Sequence, residues 1–285
     1  MKNEDEKIDC LISSLYEIID LLKTKRNTLN FNLKDFSSLR QILKSDVWPE
    51  SIPNKNDYDF QEKFYEFIAN IINLEKLDVL FLGSKEESEL FFNFMLSKQS
   101  NKTICYFENK NHISRTQETS TSKLIVTSNF DDVIKEGAYD VIVCYDFIEH
   151  SNQTPEKMME TIKSLRKSNG PIYIRTHPFS SRFHDHNYEY LNKAYTHLVF
   201  DDREKLKVGC LSGRKTCKEL TTETEYFKLF YNLDLKINER HVIESIPESF
   251  FFENKLILEK IKSNLNMEIV TPEEIGIEFI DYVLS

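Results

Sequence analysis

The stretch YDVIVCYDFIEHSNQTPEKMMETIKSLRKSNGPIYIRTHP (139–178) decides the fold. Its two ends, YDVIVCY (139–145) and GPIYIRT (170–176), are continuous in apolar residues rather than alternating, which is the texture of strands buried on both faces. Between them the spacing predicts a helix, with Thr154 as N-cap, Pro155 in the first turn and Asn169-Gly170 closing it. Strand, helix and strand at this rhythm form a right-handed crossover, and therefore part of a parallel sheet.

The same texture extends upstream. LDVLFLG (77–83), TICYF (103–107) and KLIVT (123–127) read as further buried strands, with a helix at about 86–98 between the first two. The polar tract SRTQETSTSK (114–123) reads as a surface loop. Downstream come LKINERHVIES (235–245), a helix near 251–263 and the apolar run IEFIDYVL (277–284), which suits a late antiparallel strand beside the parallel sheet. Residues 1–75 are helical in pattern, since Ile8, Leu11, Ile12, Leu15, Ile18, Ile19 and Leu22 recur at three- and four-residue spacing. The expected organisation is an N-terminal helical segment, 1–75, and an α/β domain, 76–285.

Composition narrows the class. The 285 residues carry a net charge of −10, which opposes the phosphate attraction behind bulk nucleic-acid binding. No apolar run approaches the roughly 20 residues that span a bilayer, so no membrane association is expected. The charged start MKNEDEKID and five cysteines in no paired framework point to a reducing, cytoplasmic setting. Cys105 and Cys144 fall inside strands and read as small core residues, while Cys210 and Cys217 have no metal-ligand spacing. The triplet Phe250, Phe251 and Phe252 reads as the filling of a core edge.

In an open parallel sheet ligands sit beyond the carboxyl ends of the strands, so the residues after each strand are the candidates. After the first strand stand Gly83 and Ser84. After the second stands Glu108, whose two oxygens suit a ribose diol. After the third come Thr127, Ser128 and Asn129, which suit an adenine edge. After the fourth comes Asp146, and after the fifth a segment dense in chemistry, RTHPFSSRFHDHNYEYLNKAYTHLVF (175–200), holding four of the seven histidines. There Arg182 and Lys193 would anchor an anionic substrate, while His177 or His186 would take a proton near neutral pH. Two other readings compete: a metal-dependent site on His184 and His186 with Asp185, His177 or His197, or a loop whose polar groups only satisfy buried backbone. The close histidines lie in no set ligand spacing, and no metal is assigned to them.

YDVIVCYDFIEH (139–150), with the helix and PIYIRTHP behind it, resembles the middle of a class I S-adenosylmethionine-dependent methyltransferase, its Asp146, Glu149 and His150 matching positions beside cofactor and substrate. The resemblance implies a Rossmann-like fold, with about seven mostly parallel strands and an antiparallel C-terminal strand. It implies S-adenosylmethionine as cofactor, held by Gly83, Ser84, Glu108, Asn129 and Asp146, and His177, Arg182, His186 and Lys193 as catalytic residues. The segment 175–200 is similar to a loop of methyltransferase-like proteins with recurring His-Pro, Ser-Arg and Asn-Lys-Ala pairs. VLFLGSKEES (79–88) departs from the glycine-rich cofactor loop: only Gly83 remains, Phe81 takes the acidic position, and Lys85 and Glu87 replace glycines. The implied function is methyl transfer to a small-molecule, nucleotide-like or polymeric acceptor. The alternative is an inactive descendant of the fold that binds a protein partner or scaffolds an assembly.

Overall fold

The computed structural model describes Ile68 and residues 74–98, 100–109, 113–119, 122–168, 170–181, 195–199, 220, 222–244, 259, 261 and 272–285. The chain divides into two compact units, one of Met1–Lys55, Phe183–Lys215 and Lys255–Ile269, the other of Asn56–Arg182, Thr216–Asn254 and Val270–Ser285. Apart from Ile68, Leu74 and Glu75, the expected helical segment 1–75 lies outside the described residues, as do the helix near 251–263 apart from Glu259 and Ile261, the Phe250–Phe252 triplet, Cys210 and Cys217.

The second unit holds one sheet of eight strands in the order β3-β4-β2-β1-β5-β6-β8-β7. These are β1 (Asp78–Leu82), β2 (Lys102–Tyr106), β3 (Ser114–Glu118), β4 (Lys123–Thr127), β5 (Val141–Tyr145), β6 (Ile172–Thr176), β7 (Ile237–Glu244) and β8 (Ile277–Leu284). The five expected parallel strands β4-β2-β1-β5-β6 form the centre, and β8 runs antiparallel to both β6 and β7. This is the expected Rossmann-like arrangement, mostly parallel with antiparallel C-terminal strands, in eight strands where about seven were expected. From β1 the chain steps outward to β2 and β4, then returns to β5 on the other side of β1, so strand order reverses between β1 and β5. A crevice for ligands opens at such a reversal.

Successive residues of a strand face opposite sides, and that alternation builds two cores. One face of the sheet packs Leu80, Leu82, Ile142, Cys144, Ile172 and Ile174 against α3 (Pro155–Leu165) and α4 (Glu223–Asn232), through Met158, Met159, Ile162, Tyr226 and Phe230. The other packs Val79, Phe81, Val141, Val143 and Tyr173 against Phe91, Phe92 and Met95 of α1 (Lys85–Met95). Burying each such side chain stabilises by about 1.5–3 kcal/mol. Helix starts follow local chemistry. Ser84 caps α1, Asn129 caps α2 (Phe130–Lys135), and Thr154 with Pro155 opens α3 as expected.

Two expectations need correction. The tract read as a surface loop contains β3, whose five residues are all exposed and pair antiparallel with β4. An edge strand exposed on both faces shows no apolar alternation, and this one draws its order from pairing and from Arg115, which reaches Glu89 at 2.7 Å and stacks on Phe92. Nor does Gly170 close α3, which ends at Leu165. Gly170 lies where a Cβ would stand 2.4 Å from the backbone oxygen of Asp140, so it permits a close crossing of two chain segments. Gly170→Ala should therefore lower stability by about 2 kcal/mol, measured by urea unfolding.

Candidate functional site

The site grows from neighbouring strand ends. Tyr145 of β5 lies opposite Arg175 of β6, so Asp146, Thr176 and His177 emerge side by side at the carboxyl edge of the sheet. Asp146 turns the chain with a φ of 49°, a left-handed conformation that aspartate tolerates better than most residues, and its N–H donates to the Arg175 carbonyl at 2.8 Å. A single 3-10 turn, Ile148–His150, then folds Glu149 and His150 back beside the ends of both strands.

Glu149 is buried and accepts hydrogen bonds from the His177 N–H, at 2.8 Å, and from the Thr176 hydroxyl, which also meets the Tyr226 hydroxyl. Asp146 Oδ1 stands 2.7 Å from His177 Nδ1 and 3.7 Å from His150 Nε2. The two imidazoles meet edge to face at 5.3 Å, and Phe279 lies edge-on to His177 at 5.7 Å. Burial works against a proton on His177, but the carboxylates of Asp146, Glu149 and Glu278 outweigh it and lift the imidazole to about 9. Burial and the Asp146 charge together push Glu149 up to about 7, against the pull of His177 and Thr176.

The turn after β1 faces the same crevice. Ser84 and Glu87 form a capping box, in which the Glu87 N–H donates to Ser84 Oγ at 3.2 Å and the Ser84 N–H donates to Glu87 Oε2 at 2.7 Å. A Cβ at Gly83 would stand 2.7 Å from Phe81 Cε1 and 3.0 Å from Glu87 Oε2, so glycine is required by the turn's own side chains. Burial, then the charges of Asp146 and Glu149, push Glu87 up to about 8 despite its bonds to Ser84. Its folded form holds a proton more tightly than the unfolded chain, whose ordinary value is 4.5, so this stabilising contribution is complete at acid pH and is lost as pH rises through about 8. Wild-type stability should fall by about 2 kcal/mol more than that of Glu87→Gln between about pH 6 and 9, in urea titrations at both values.

Of the expected site residues, Gly83, Ser84 and Asp146 border the strand reversal at the ends of β1 and β5, and His177 adjoins Asp146. Glu108 follows β2 and is engaged by the Ser151 hydroxyl at 3.0 Å and by the backbone and side chain of Asn152. Asn129 accepts from the Asp131 N–H at 3.2 Å as the cap of α2. Arg182, His186 and Lys193 lie outside the described residues. In the sequence Glu87 stands out only as a residue in place of a loop glycine, and Glu149 and His150 only as positions that the resemblance implies. Placing 146–150 and His177 after adjacent strands was the available signal for grouping the last two with Asp146.

No known protein-family description matches the chain, and no curated protein matches it in sequence. Solved structures do resemble its chain path. A Listeria monocytogenes protein described as an S-adenosylmethionine-dependent methyltransferase has a TM-score of 0.46 at 13% identity, over 78% of this chain and 95% of that one. An S-adenosylmethionine-dependent methyltransferase from Mesorhizobium loti has a TM-score of 0.42 at 9% identity, over 78% and 96%. A third, from Leishmania major, gives 0.42 at 11%, over 92% and 89%. These are likenesses of fold, and the assignments that follow rest on the chain's own residues.

Proposed function

We propose that the protein transfers a methyl group from S-adenosylmethionine to an acceptor held against the segment that follows β6. The observation that carries this reading is the convergence of Asp146, Glu149, His150 and His177 at the carboxyl ends of adjacent strands, next to the strand reversal. The residues suit the cofactor in charge. The Asp146 carboxylate, and Glu149 in its ionised form, favour its sulfonium and ammonium groups, while Glu108 and Asn129 offer polar groups for the ribose and adenine. The cofactor, when bound, supplies a methyl group activated by the sulfonium. This chain's part is to hold the accepting atom in line and exclude water. Arg182 and Lys193 anchor the acceptor, Asp146 and Glu149 hold His177, and His186, or His177 once its imidazole has given up its own proton, takes the acceptor's proton.

One observation favours the second reading, a non-catalytic subunit that binds a protein partner: Glu87 closes the turn at Gly83 from within. Incubation with methyl-labelled S-adenosylmethionine and acceptors bearing phosphate, carboxylate, sugar hydroxyl or nucleotide groups separates the two. Transfer is expected to at least one class and to be lost in His177→Gln. Absence of transfer to all of them, with no binding of S-adenosylhomocysteine, would favour the scaffold.

A further inference from the structure

We propose that Asp146, His150 and His177, with the buried carboxyl group of Glu149 beside them, bind a divalent transition-metal cation. Among the described residues, Asp146, His150 and His177 each offer an oxygen or nitrogen atom, and the three atoms lie within 4.8 Å of one another. Donors sharing one cation through bonds of about 2.0–2.2 Å stand about 3–4 Å apart, so Asp146 Oδ1 and His150 Nε2, at 3.7 Å, already have that spacing. His177 Nδ1, at 2.7 Å from the same oxygen, needs only a small outward shift to join them.

Glu149 supplies an independent observation. Its side chain is 1% exposed, and while Oε1 takes the bonds from His177 and Thr176, Oε2 is buried without a hydrogen-bond partner. Its charge acts on both Asp146 and His177. A buried carboxylate oxygen left in this way is costly unless it meets a proton or a cation. The Arg175 guanidinium, two residues from His177, does not serve, because Asp281 holds it with two bonds of 2.6 Å. Asp146 thus stands between two imidazoles, with Glu149 against one of them.

The donor set selects the ion. Magnesium and calcium prefer all-oxygen shells, whereas two imidazoles with one or two carboxylates suit first-row ions such as manganese, iron, cobalt and zinc. The ligands span a strand end, a 3-10 turn and the start of the next loop, and three protein ligands leave at least one coordination position for an outside oxygen. Within the methyl-transfer reading, and resting on it for this role alone, the cation would hold the acceptor oxygen and ease loss of its proton.

The test uses the full chain, stripped with chelator and titrated with Co²⁺, following visible absorption and metal content without cofactor. We expect about one Co²⁺ per chain with micromolar affinity, a visible band that shows nitrogen ligands, and Mg²⁺ unable to compete at equal concentration. His150→Ala, at a partly exposed position, and the isosteric Glu149→Gln should each weaken binding about 10- to 100-fold while circular dichroism remains unchanged. His184→Ala should leave it unaltered. No uptake at millimolar Co²⁺, uptake indifferent to His150→Ala, or uptake abolished by His184→Ala would overturn the proposal. Because no readout involves S-adenosylmethionine, failure here is separable from failure of the methyl-transfer reading.

Discussion

Asp281→Ala is expected to destabilise the protein by about 3–5 kcal/mol, the largest loss anticipated from a single residue outside the site. Asp281 of β8 lies directly opposite Arg175 of β6, and the guanidinium spans both carboxylate oxygens at 2.6 Å. Arg175 and Asp281 side chains are only 4% and 8% exposed, so removing the acid leaves a buried positive charge. The rings of Tyr145 and Phe279, each 5.7 Å from that guanidinium, soften the penalty but cannot replace a carboxylate. The double substitution Arg175→Met with Asp281→Leu should recover most of the loss, because the pair's attraction chiefly repays its own desolvation. Urea unfolding of both variants checks this. A single-variant loss below about 1 kcal/mol would mean that the pair is solvated.

On the proposed methyl-transfer reading, His177→Gln should lower the rate by about 10²–10⁴-fold in kcat, with little change in KM for the cofactor. The imidazole is fully enclosed, with Asp146 against one nitrogen and Glu149 accepting its backbone N–H, so its orientation is set before any acceptor arrives. The loss is the same in kind whether His177 takes the acceptor's proton or holds a cation that eases its departure. Glutamine keeps a polar group of similar reach but neither takes a proton nor ligates strongly. Single-turnover measurements with labelled S-adenosylmethionine would distinguish slowed chemistry from weakened binding. An unchanged rate would remove His177 from the mechanism.

What could be read beforehand was whatever depends on neighbours in sequence. Val141–Tyr145 and Ile172–Thr176 declare themselves as buried strands because every residue in each is apolar or enclosed, and Thr154 with Pro155 marks a helix start whatever lies around it. β3 was hidden because Ser114–Glu118 buries nothing and depends on pairing with β4. Gly170 resembled a helix stop, whereas its reason lies in the Asp140 carbonyl from another segment. Arg175 belonged by position to the dense segment after β6, yet its partner lies 106 residues away. In the site, Asp146 and His177 were each legible as residues beyond strand ends, but their contact required knowing that β5 and β6 are adjacent. The same holds for Glu87, whose burial beside Asp146 and Glu149 is a product of the strand order.

The central claim is that this crevice receives S-adenosylmethionine despite a turn with a single glycine. Calorimetric titration of the full chain with S-adenosylmethionine and S-adenosylhomocysteine, repeated on Gly83→Trp, tests it most directly. The account predicts micromolar binding of both ligands to the wild type and none to the variant, whose side chain would collide with Phe81 and Glu87 from the Cβ onward and displace the turn. No heat and no thermal shift with either ligand at millimolar concentration would contradict it.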